Sequence, residues 1–382
     1  MIIQNISARK IKDSRDNETI EVSVNNSNAS SPSGKSTGKY ESREYLKNLD
    51  WNVNFLNLEK SFLIGLEIKK FEDLEIVEKK IIKELKLKKV QEFGANSLFA
   101  LESVILKALA VSEKKELWEI INPKAKKIPI PLGNIIGGGL HSSKFKNHTN
   151  FQEFLIIPFS KKFEKNYNIM KKIYLKIGEK FNLKKINDEG AWQTEFDEEK
   201  ILEILSEFKR EVRIGIDVAS THFYKNKFYD YKNKKLNEKN QIFYINNLIK
   251  KYKIFYIEDP LYEEDFNGFS KINKKSFVCG DDLTATQINR LKKSIEKNSI
   301  NCMITKPNQN GSLIELKEII SICKKNNIKT VMSHRSGETT DNSLADYAFG
   351  FQTDFIKTGI ATKWREVKLN RLEEIEKSLK NR

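Results

Sequence analysis

The fold is decided by five short apolar segments: IGID (214–217), IFYIE (254–258), FVCGD (277–281), NCMITK (301–306) and TVMSH (330–334). Each segment ends in a residue able to do chemistry. Successive ends lie about 23 to 41 residues apart, close to the pitch of one strand plus one helix in an eightfold barrel. Such barrels carry their reactive groups at the C-terminal ends of the strands. The segments therefore predict one barrel mouth lined by their last residues.

The rest of the chain indicates two domains. At 382 residues it exceeds what one hydrophobic core usually supports. Residues 1–24 alternate as a hairpin, residues 71–112 have helical apolar spacing, and residues 39–70 give no clear pattern. Strand-like and helix-like segments then alternate to the end. We predict an α/β protein with parallel strands, in which a small α+β domain (1–122) precedes a C-terminal TIM-like α/β barrel (123–382).

Composition excludes several classes of protein. The chain has 39% hydrophobic residues and 23 phenylalanines, which argues against disorder, and no apolar stretch of about 20 residues predicts a membrane span. Three cysteines and no apolar leader core indicate a reduced, cytoplasmic protein. The net charge of +16 comes from lysines dispersed among glutamates, a pattern typical of solvated helix faces. A nucleic-acid partner is therefore not expected.

Three strand ends are acidic and the next is basic. Asp217, Glu258 and Asp281 offer hard oxygen ligands, which favour Mg²⁺ over Zn²⁺. Lys306 follows at the next strand end. Beside a bound cation its pKa would fall, and it could act as a base. An ion pair between Lys306 and one of the acids is the alternative, and both could hold in the resting enzyme.

Two other acidic positions stand out earlier in the chain. Glu153, after Gln152, lies in the apolar segment NFQEFLIIP, and Glu189 lies in the turn INDEGAW. Two glutamates in one mouth would raise one pKa and create a general acid. His141 follows three glycines, and alone it indicates only a turn with a surface histidine.

Two segments could hold phosphate. SHRSGET (333–339) combines Arg335, Ser336 and turn amides after His334, and Lys357 ends the later strand FIK. SPSGKSTG (31–38) resembles the end of a nucleotide-binding P-loop, but Ala29 stands where that motif requires glycine. A Gly/Ser loop that covers another site fits this segment better.

The motifs together resemble the enolase family nearly from end to end. They are, in chain order, ARKIKDSRDN, PSGKSTGKYE, FGANS, IPIPLGNIIGGGLH, QEFLIIP, DEGAW, IGIDVAS, IEDP, GDDLT, KPNQNGSL, SHRSGETTDN and IKTG. The resemblance implies an enolase-type barrel and a Mg²⁺-dependent lyase that interconverts 2-phospho-D-glycerate and phosphoenolpyruvate. Use of a Lys or His base with one or two Mg²⁺ ions is described for this superfamily. It further implies a cytoplasmic homodimer or larger homo-oligomer.

The resemblance also assigns roles, residue by residue. The implied catalytic residues are Lys306, Glu189 and Glu153; the ligands of two Mg²⁺ ions include Asp217, Glu258, Asp281 and Ser36; the substrate-binding residues are His141, Gln152, His334, Arg335, Ser336 and Lys357. Departures from the family pattern include Lys35 for alanine, Gly137 for asparagine, His222 for glutamate and the extra segment KFKNHTN (144–150). They keep open an enolase-like paralogue with another substrate or reduced activity. The other alternative, which only the net charge of +16 favours, is a basic scaffold that binds nucleic acid or a surface.

Overall fold

The computed structural model describes residues 1–35 and 38–380. The first part of the chain forms an antiparallel three-stranded sheet, β1 (Ile6–Lys12), β2 (Glu18–Val24) and β3 (Ser27–Ser30), followed by helices α1 (Leu49–Leu58), α2 (Leu74–Leu85), α3 (Ala95–Ser112) and α4 (Leu117–Ile121). The predicted hairpin is confirmed, because β1 pairs with β2 in a continuous antiparallel register. Helix α1 lies within residues 39–70, where the sequence shows no clear pattern.

Helix α3 is the central helix of this part, and its side chains are buried nearly all round. A helix that is apolar on every face belongs in a protein core or a membrane. Within residues 1–35 and 38–380 it is the one helix whose length and composition would suit a membrane span, but 83% of that window is buried in the protein. Its burial is that of a core helix.

The second part of the chain contains the larger sheet. The strands of this sheet are β4 (Ile130–Gly137), β5 (Glu153–Pro158), the short β6 (Trp192–Gln193), β7 (Val212–Asp217), β11 (Tyr256–Glu258), β12 (Phe277–Gly280), β13 (Cys302–Thr305), β14 (Lys329–Ser333) and β15 (Phe355–Lys357). A small separate sheet contains β8 (Tyr224–Lys225), β9 (Phe228–Asp230) and β10 (Lys235–Leu236). The order β4-β5-β7-β11-β12-β13-β14-β15 closes into a barrel because β15 also pairs with β4. The predicted barrel is confirmed.

One strand departs from the predicted parallel arrangement. Strand β5 runs antiparallel to both of its neighbours, β4 and β7, whereas the other barrel pairs are parallel. No α-helix lies between β4 and β5. Antiparallel strands can be joined without a crossover helix, so the chain turns back at the mouth. As a result Glu153 reaches the mouth from the start of its strand rather than from the end.

Helices cover the outside of the barrel and an apolar layer fills its inside. The helices are α5 (Phe163–Lys180), α6 (Glu198–Ser206), α7 (Glu238–Tyr252), α8 (Phe266–Ser270), α9 (Ile288–Glu296), α10 (Pro307–Asn310), α11 (Leu313–Lys325), α12 (Ser343–Gly350) and α13 (Lys363–Lys380). The interior layer contains Leu132, Leu155, Ile157, Tyr256, Cys279, Cys302, Ile304, Val331 and Phe355. It forms a closed floor beneath the mouth.

The N-terminal part is tied to the barrel next to the mouth. Ser33 and Gly337 exchange two backbone hydrogen bonds, at 2.7 and 2.9 Å. Farther away, Lys107 on α3 forms an ion pair of 2.8 Å with Asp341, whose side chain is 12% exposed. The segment that approaches the mouth from the N-terminal part is therefore held at its base by main-chain pairing.

Candidate active site

The predicted site residues converge on one cavity at the mouth of the barrel. Strand direction explains this, because β7, β11, β12, β13, β14 and β15 all point their C-terminal ends to the same side. The cavity is lined by His141, Gln152, Glu153, Glu189, Asp217, Asp281, Lys306, His334, Arg335, Ser336 and Lys357. Glu258 lies fully buried beside it and contacts Lys357.

Lys357 lies between three acidic side chains. Its Nζ is 3.1 Å from Glu153 Oε2, 3.1 Å from Asp217 Oδ2 and 2.9 Å from Glu258 Oε1. Burial acts to lower the pKa of Lys357, but the three carboxylates raise it more, and the net pKa lies well above the usual value. Burial and the Asp217 charge raise the pKa of Glu258 to about 8. The Lys357 ammonium is thus held among the side-chain oxygens of Glu153, Asp217 and Glu258.

Lys306 is paired with the third acid. Its Nζ lies 2.5 Å from Asp281 Oδ2, and both side chains are nearly buried. Burial favours the neutral amine, but the adjacent Asp281 charge outweighs it, so the pKa of Lys306 is raised rather than lowered. The sequence left open whether Lys306 is a base with a lowered pKa or the partner of an acid in an ion pair. The structure shows the ion pair with Asp281.

Glu153 and Glu189 form a coupled pair of acids. His141 Nδ1 lies 3.6 Å from Glu153 Oε1 and 3.5 Å from Glu189 Oε2, and His334 Nε2 lies 3.6 Å from Glu189 Oε2. Burial raises the pKa of Glu153 well above its usual value. The pKa of Glu189 is low despite its burial, because His141, His334 and a hydrogen bond from Glu153 favour its charged form. Of the two acids, Glu153 therefore holds a proton more readily than Glu189 does.

Burial favours the neutral form of both histidines beside Glu189, whereas the Glu189 charge opposes this effect. Burial lowers the pKa of His141, and it lowers that of His334 well below the usual value despite the Glu189 charge. Asn134 on β4 also donates to Glu189 Oε2, at 3.1 Å. Glu189 thus lies among three groups that can donate hydrogen bonds to a carboxylate.

Arg335 and Ser336 follow His334 in the loop after β14. The Arg335 guanidinium donates to Glu41 Oε2 at 2.9 Å and to Asn308 Oδ1 at 3.3 Å. Asn308 in turn donates to Pro32 O at 3.0 Å. Arg335 is thereby held by the N-terminal part on one side and by the barrel on the other.

The comparisons with known proteins agree along the whole chain. Residues 3–121 match the family model for "Enolase, N-terminal domain" and residues 125–382 match that for "Enolase, C-terminal TIM barrel domain". The chain belongs to the enolase family. Enolases of Archaeoglobus fulgidus (37% identical, 98% of this chain and 97% of theirs), Picrophilus torridus (36%, 99% and 99%) and Methanosphaera stadtmanae (36%, 100% and 98%) are similar to it.

Two residues of the N-terminal loop, Lys35 and Ser36, were singled out from the sequence, and the structure describes only Lys35. Ser36 lies outside the described residues, so its predicted role as a metal ligand stays a prediction. Lys35 lines the mouth, and its ammonium bonds to Asp188 Oδ2, while Lys144 Nζ lies 2.9 Å from Asp188 Oδ1. Lys35, which stands where the family usually has alanine, therefore contacts Asp188, the residue directly before Glu189.

Several residues of the site were not singled out from the sequence. Glu41 holds Arg335, Asn134 donates to Glu189, and Arg365 donates to Ser336 O at 2.8 Å. Tyr256 donates to Glu258 Oε2 at 2.6 Å. Only Tyr256 had a local signal, because residues two apart on a strand share a face. The others come from distant parts of the enolase chain.

Proposed function

We propose that this chain catalyses the reversible dehydration of 2-phospho-D-glycerate to phosphoenolpyruvate, with Lys306 as the base and Glu189 as the acid. As a member of the enolase family the chain is a lyase, and the family depends on magnesium. The observation that carries the proposal is the arrangement of Lys306 and the Glu153–Glu189 pair in one cavity with the Asp217, Glu258 and Asp281 carboxylates beside them.

The acidic side chains at the mouth offer the kind of donor atom that magnesium prefers. Asp217, Glu258 and Asp281 supply hard oxygen donors, and the Lys357 ammonium demonstrates that a positive charge is accommodated between the first two. Magnesium held there supplies positive charge that stabilises the second negative charge of the substrate carboxylate after the C2 proton leaves. We propose that these three residues bind one ion and that Ser36 contributes to a second.

Lys306 is proposed to remove the C2 proton. A lysine can do so only as the neutral amine, and its present contact with Asp281 keeps it protonated. Base action therefore requires that the contact between Lys306 and Asp281 be weakened. Lys357 remains beside the carboxylates as a permanent cation and helps to hold the acidic substrate.

The Glu153–Glu189 pair is proposed to protonate the departing C3 hydroxyl. In this proposal Glu153, whose pKa is raised, holds the proton and passes it to Glu189. His141 Nδ1 and His334 Nε2 lie 3.5 and 3.6 Å from Glu189 Oε2, close enough to favour negative charge on that carboxylate. Gln152 donates to Asp217 Oδ2 at 3.4 Å and completes this wall of the mouth.

Arg335 and Ser336 are proposed to bind the substrate phosphate. A guanidinium suits bidentate contact with phosphate oxygens. Glu41 and Asn308 already orient that group, so little freedom is lost when the phosphate binds. We also propose a homo-oligomer in the cytoplasm and a chain that divides at residue 122, after α4.

The test is a direct assay. Purified protein with 2-phosphoglycerate and Mg²⁺ should form phosphoenolpyruvate, followed by ultraviolet absorbance, and a chelator should stop the reaction until Mg²⁺ is restored. Absence of product from the folded protein, or unchanged turnover in Lys306→Ala, would refute the proposal. Turnover of another phosphorylated or sugar acid but not of 2-phosphoglycerate would favour the paralogue.

A further inference from the structure

Tyr256 lies inside the barrel, directly below the proposed metal site. It precedes Glu258 by two residues on β11, so both side chains point inward. Tyr256 is fully buried, and it belongs to the same apolar layer as Leu155, Cys279 and Cys302. A phenol hydroxyl in such a layer requires a partner from the protein.

That partner is the carboxylate of Glu258. The Tyr256 hydroxyl donates to Oε2 at 2.6 Å, while Lys357 Nζ donates to Oε1 at 2.9 Å. Each oxygen of Glu258 therefore has one donor. The last torsion of a glutamate is otherwise broad, so two donors at the two oxygens fix the plane of this carboxylate.

The neighbouring strand leaves room for the tyrosine. Gly215 on β7 is paired with Tyr256. A Cβ added at Gly215 would lie 3.3 Å from Tyr256 Cβ, 3.3 Å from Leu155 Cβ and 3.1 Å from Ile157 Cδ1. These distances are shorter than ordinary carbon contacts, which are about 3.5–4.0 Å. The glycine and the tyrosine thus fit together as one packing unit under Glu258.

We infer that Tyr256 is a positioning residue for the metal-binding carboxylate of Glu258. The inference rests on the proposed function, in which Glu258 binds magnesium. Partners that hold a metal-ligating side chain in place contribute to affinity although they do not touch the ion, and their loss costs about 10- to 100-fold. Tyr256 holds Glu258 from the interior of the barrel, where both side chains are buried from solvent.

The experiment compares Tyr256→Phe with the wild type by calorimetric titration of Mg²⁺ into metal-free protein. The substitution removes one oxygen and keeps the ring. The matched control is Tyr347→Phe, because Tyr347 is also fully buried and donates at 2.7 Å to Ser103, away from the mouth. Y256F should bind Mg²⁺ about 10- to 100-fold more weakly, whereas Y347F should bind as the wild type does.

Activity provides a second readout that a general loss of packing would not give. The Mg²⁺ concentration for half-maximal activity should rise in Y256F, while at saturating Mg²⁺ the KM for 2-phosphoglycerate should equal that of the wild type. Should Y256F fold poorly, Tyr256→Met takes its place, since methionine adapts to irregular core space and also lacks the hydroxyl.

Each outcome separates this inference from the proposed function. Wild-type protein that binds no Mg²⁺ would refute the proposed function itself. Wild-type protein that binds Mg²⁺ while Y256F binds it equally well would refute only the role of Tyr256. Equal weakening in Y256F and Y347F would also refute it, because the loss would then follow from any buried hydroxyl.

Discussion

Lys306 Nζ lies 2.5 Å from Oδ2 of Asp281, so the proposed base forms an ion pair with a proposed metal ligand. The Asp281 charge outweighs burial and raises the pKa of Lys306, which favours the protonated lysine. Because a general base must be unprotonated, the proposed base action requires that this contact be weakened.

Lys306→Ala should therefore abolish proton removal at C2. We expect kcat to fall by about 10²- to 10⁴-fold or more, the range typical of a lost general base. Exchange of the C2 hydrogen with deuterated solvent, followed by NMR, should be lost as well. The matched control is Lys329→Ala, which breaks a lysine–aspartate pair of 3.0 Å with Asp354 at the start of β14 and should leave both rates unchanged.

Glu189→Gln should separate the two chemical steps. The variant keeps Lys306, so it should retain C2 hydrogen exchange while the formation of phosphoenolpyruvate falls by about 10²- to 10⁴-fold. Glu153→Gln should act on the same step, because Glu153, whose pKa is raised, is the proposed source of the proton for Glu189. The double variant should then lose little more than either single variant. Additive losses would show that the two acids work independently.

Lys35→Ala tests the contact between the N-terminal loop and the barrel. Lys35 is only 22% exposed at its side chain and pairs with Asp188 beside Glu189. We expect KM for 2-phosphoglycerate to rise about 3- to 10-fold, as for the loss of a partly buried charged hydrogen bond. Lys144→Ala is the matched control, because Lys144 pairs with the same carboxylate but is 71% exposed. It should change KM by less than twofold or so.

Asp341→Asn tests the connection between α3 and the barrel. Hydrogen bonds and the Lys107 charge outweigh burial and lower the pKa of Asp341 to about 2, against about 3.9 in an unfolded chain. This difference stabilises the folded state by about 2 kcal/mol above pH 4, and the contribution is lost as the pH falls toward 2. The variant should unfold at lower urea at pH 7, and its deficit should shrink below pH 4.

An exposed ion pair provides the comparison for Asp341. Glu373→Gln breaks a contact of 2.6 Å with Lys377, whose side chain is 60% exposed. Solvent screens such pairs, so the urea concentration at half-unfolding should not change measurably at either pH. A deficit of the Asp341 variant that persists unchanged at pH 3 would contradict its charge-based origin.

The strand ends were predictable because their signal is local. An apolar run that ends in a polar residue needs no tertiary knowledge, and Asp217, Glu258, Asp281, Lys306 and His334 all reach the barrel mouth. The family resemblance gave the remaining positions. The direction of β5 was not predictable, because nothing in the apolar run 153–158 distinguishes a parallel from an antiparallel neighbour.

The contacts that set the charge of Lys306 and the orientation of Arg335 could not be predicted from the sequence either. The charge state of Lys306 depends on its pairing with Asp281, which no spacing reveals. Arg335 is held by Glu41, which lies 294 residues earlier in the chain. Such pairs form only after the N-terminal part packs against the barrel, and local patterns carry no information about that packing.

The reversed strand β5 has a consequence for how this enzyme can diversify. Both ends of the segment between β4 and β5 lie at the mouth, so extra residues there displace no helix of the outer layer. The segment KFKNHTN occupies this position and is fastened to α6, where Glu198 accepts from Thr149 at 2.9 Å and from the Asn150 amide at 2.8 Å. This wall of the cavity can lengthen or change its side chains independently of the barrel, and it offers a route to new substrate ranges on an unchanged catalytic frame.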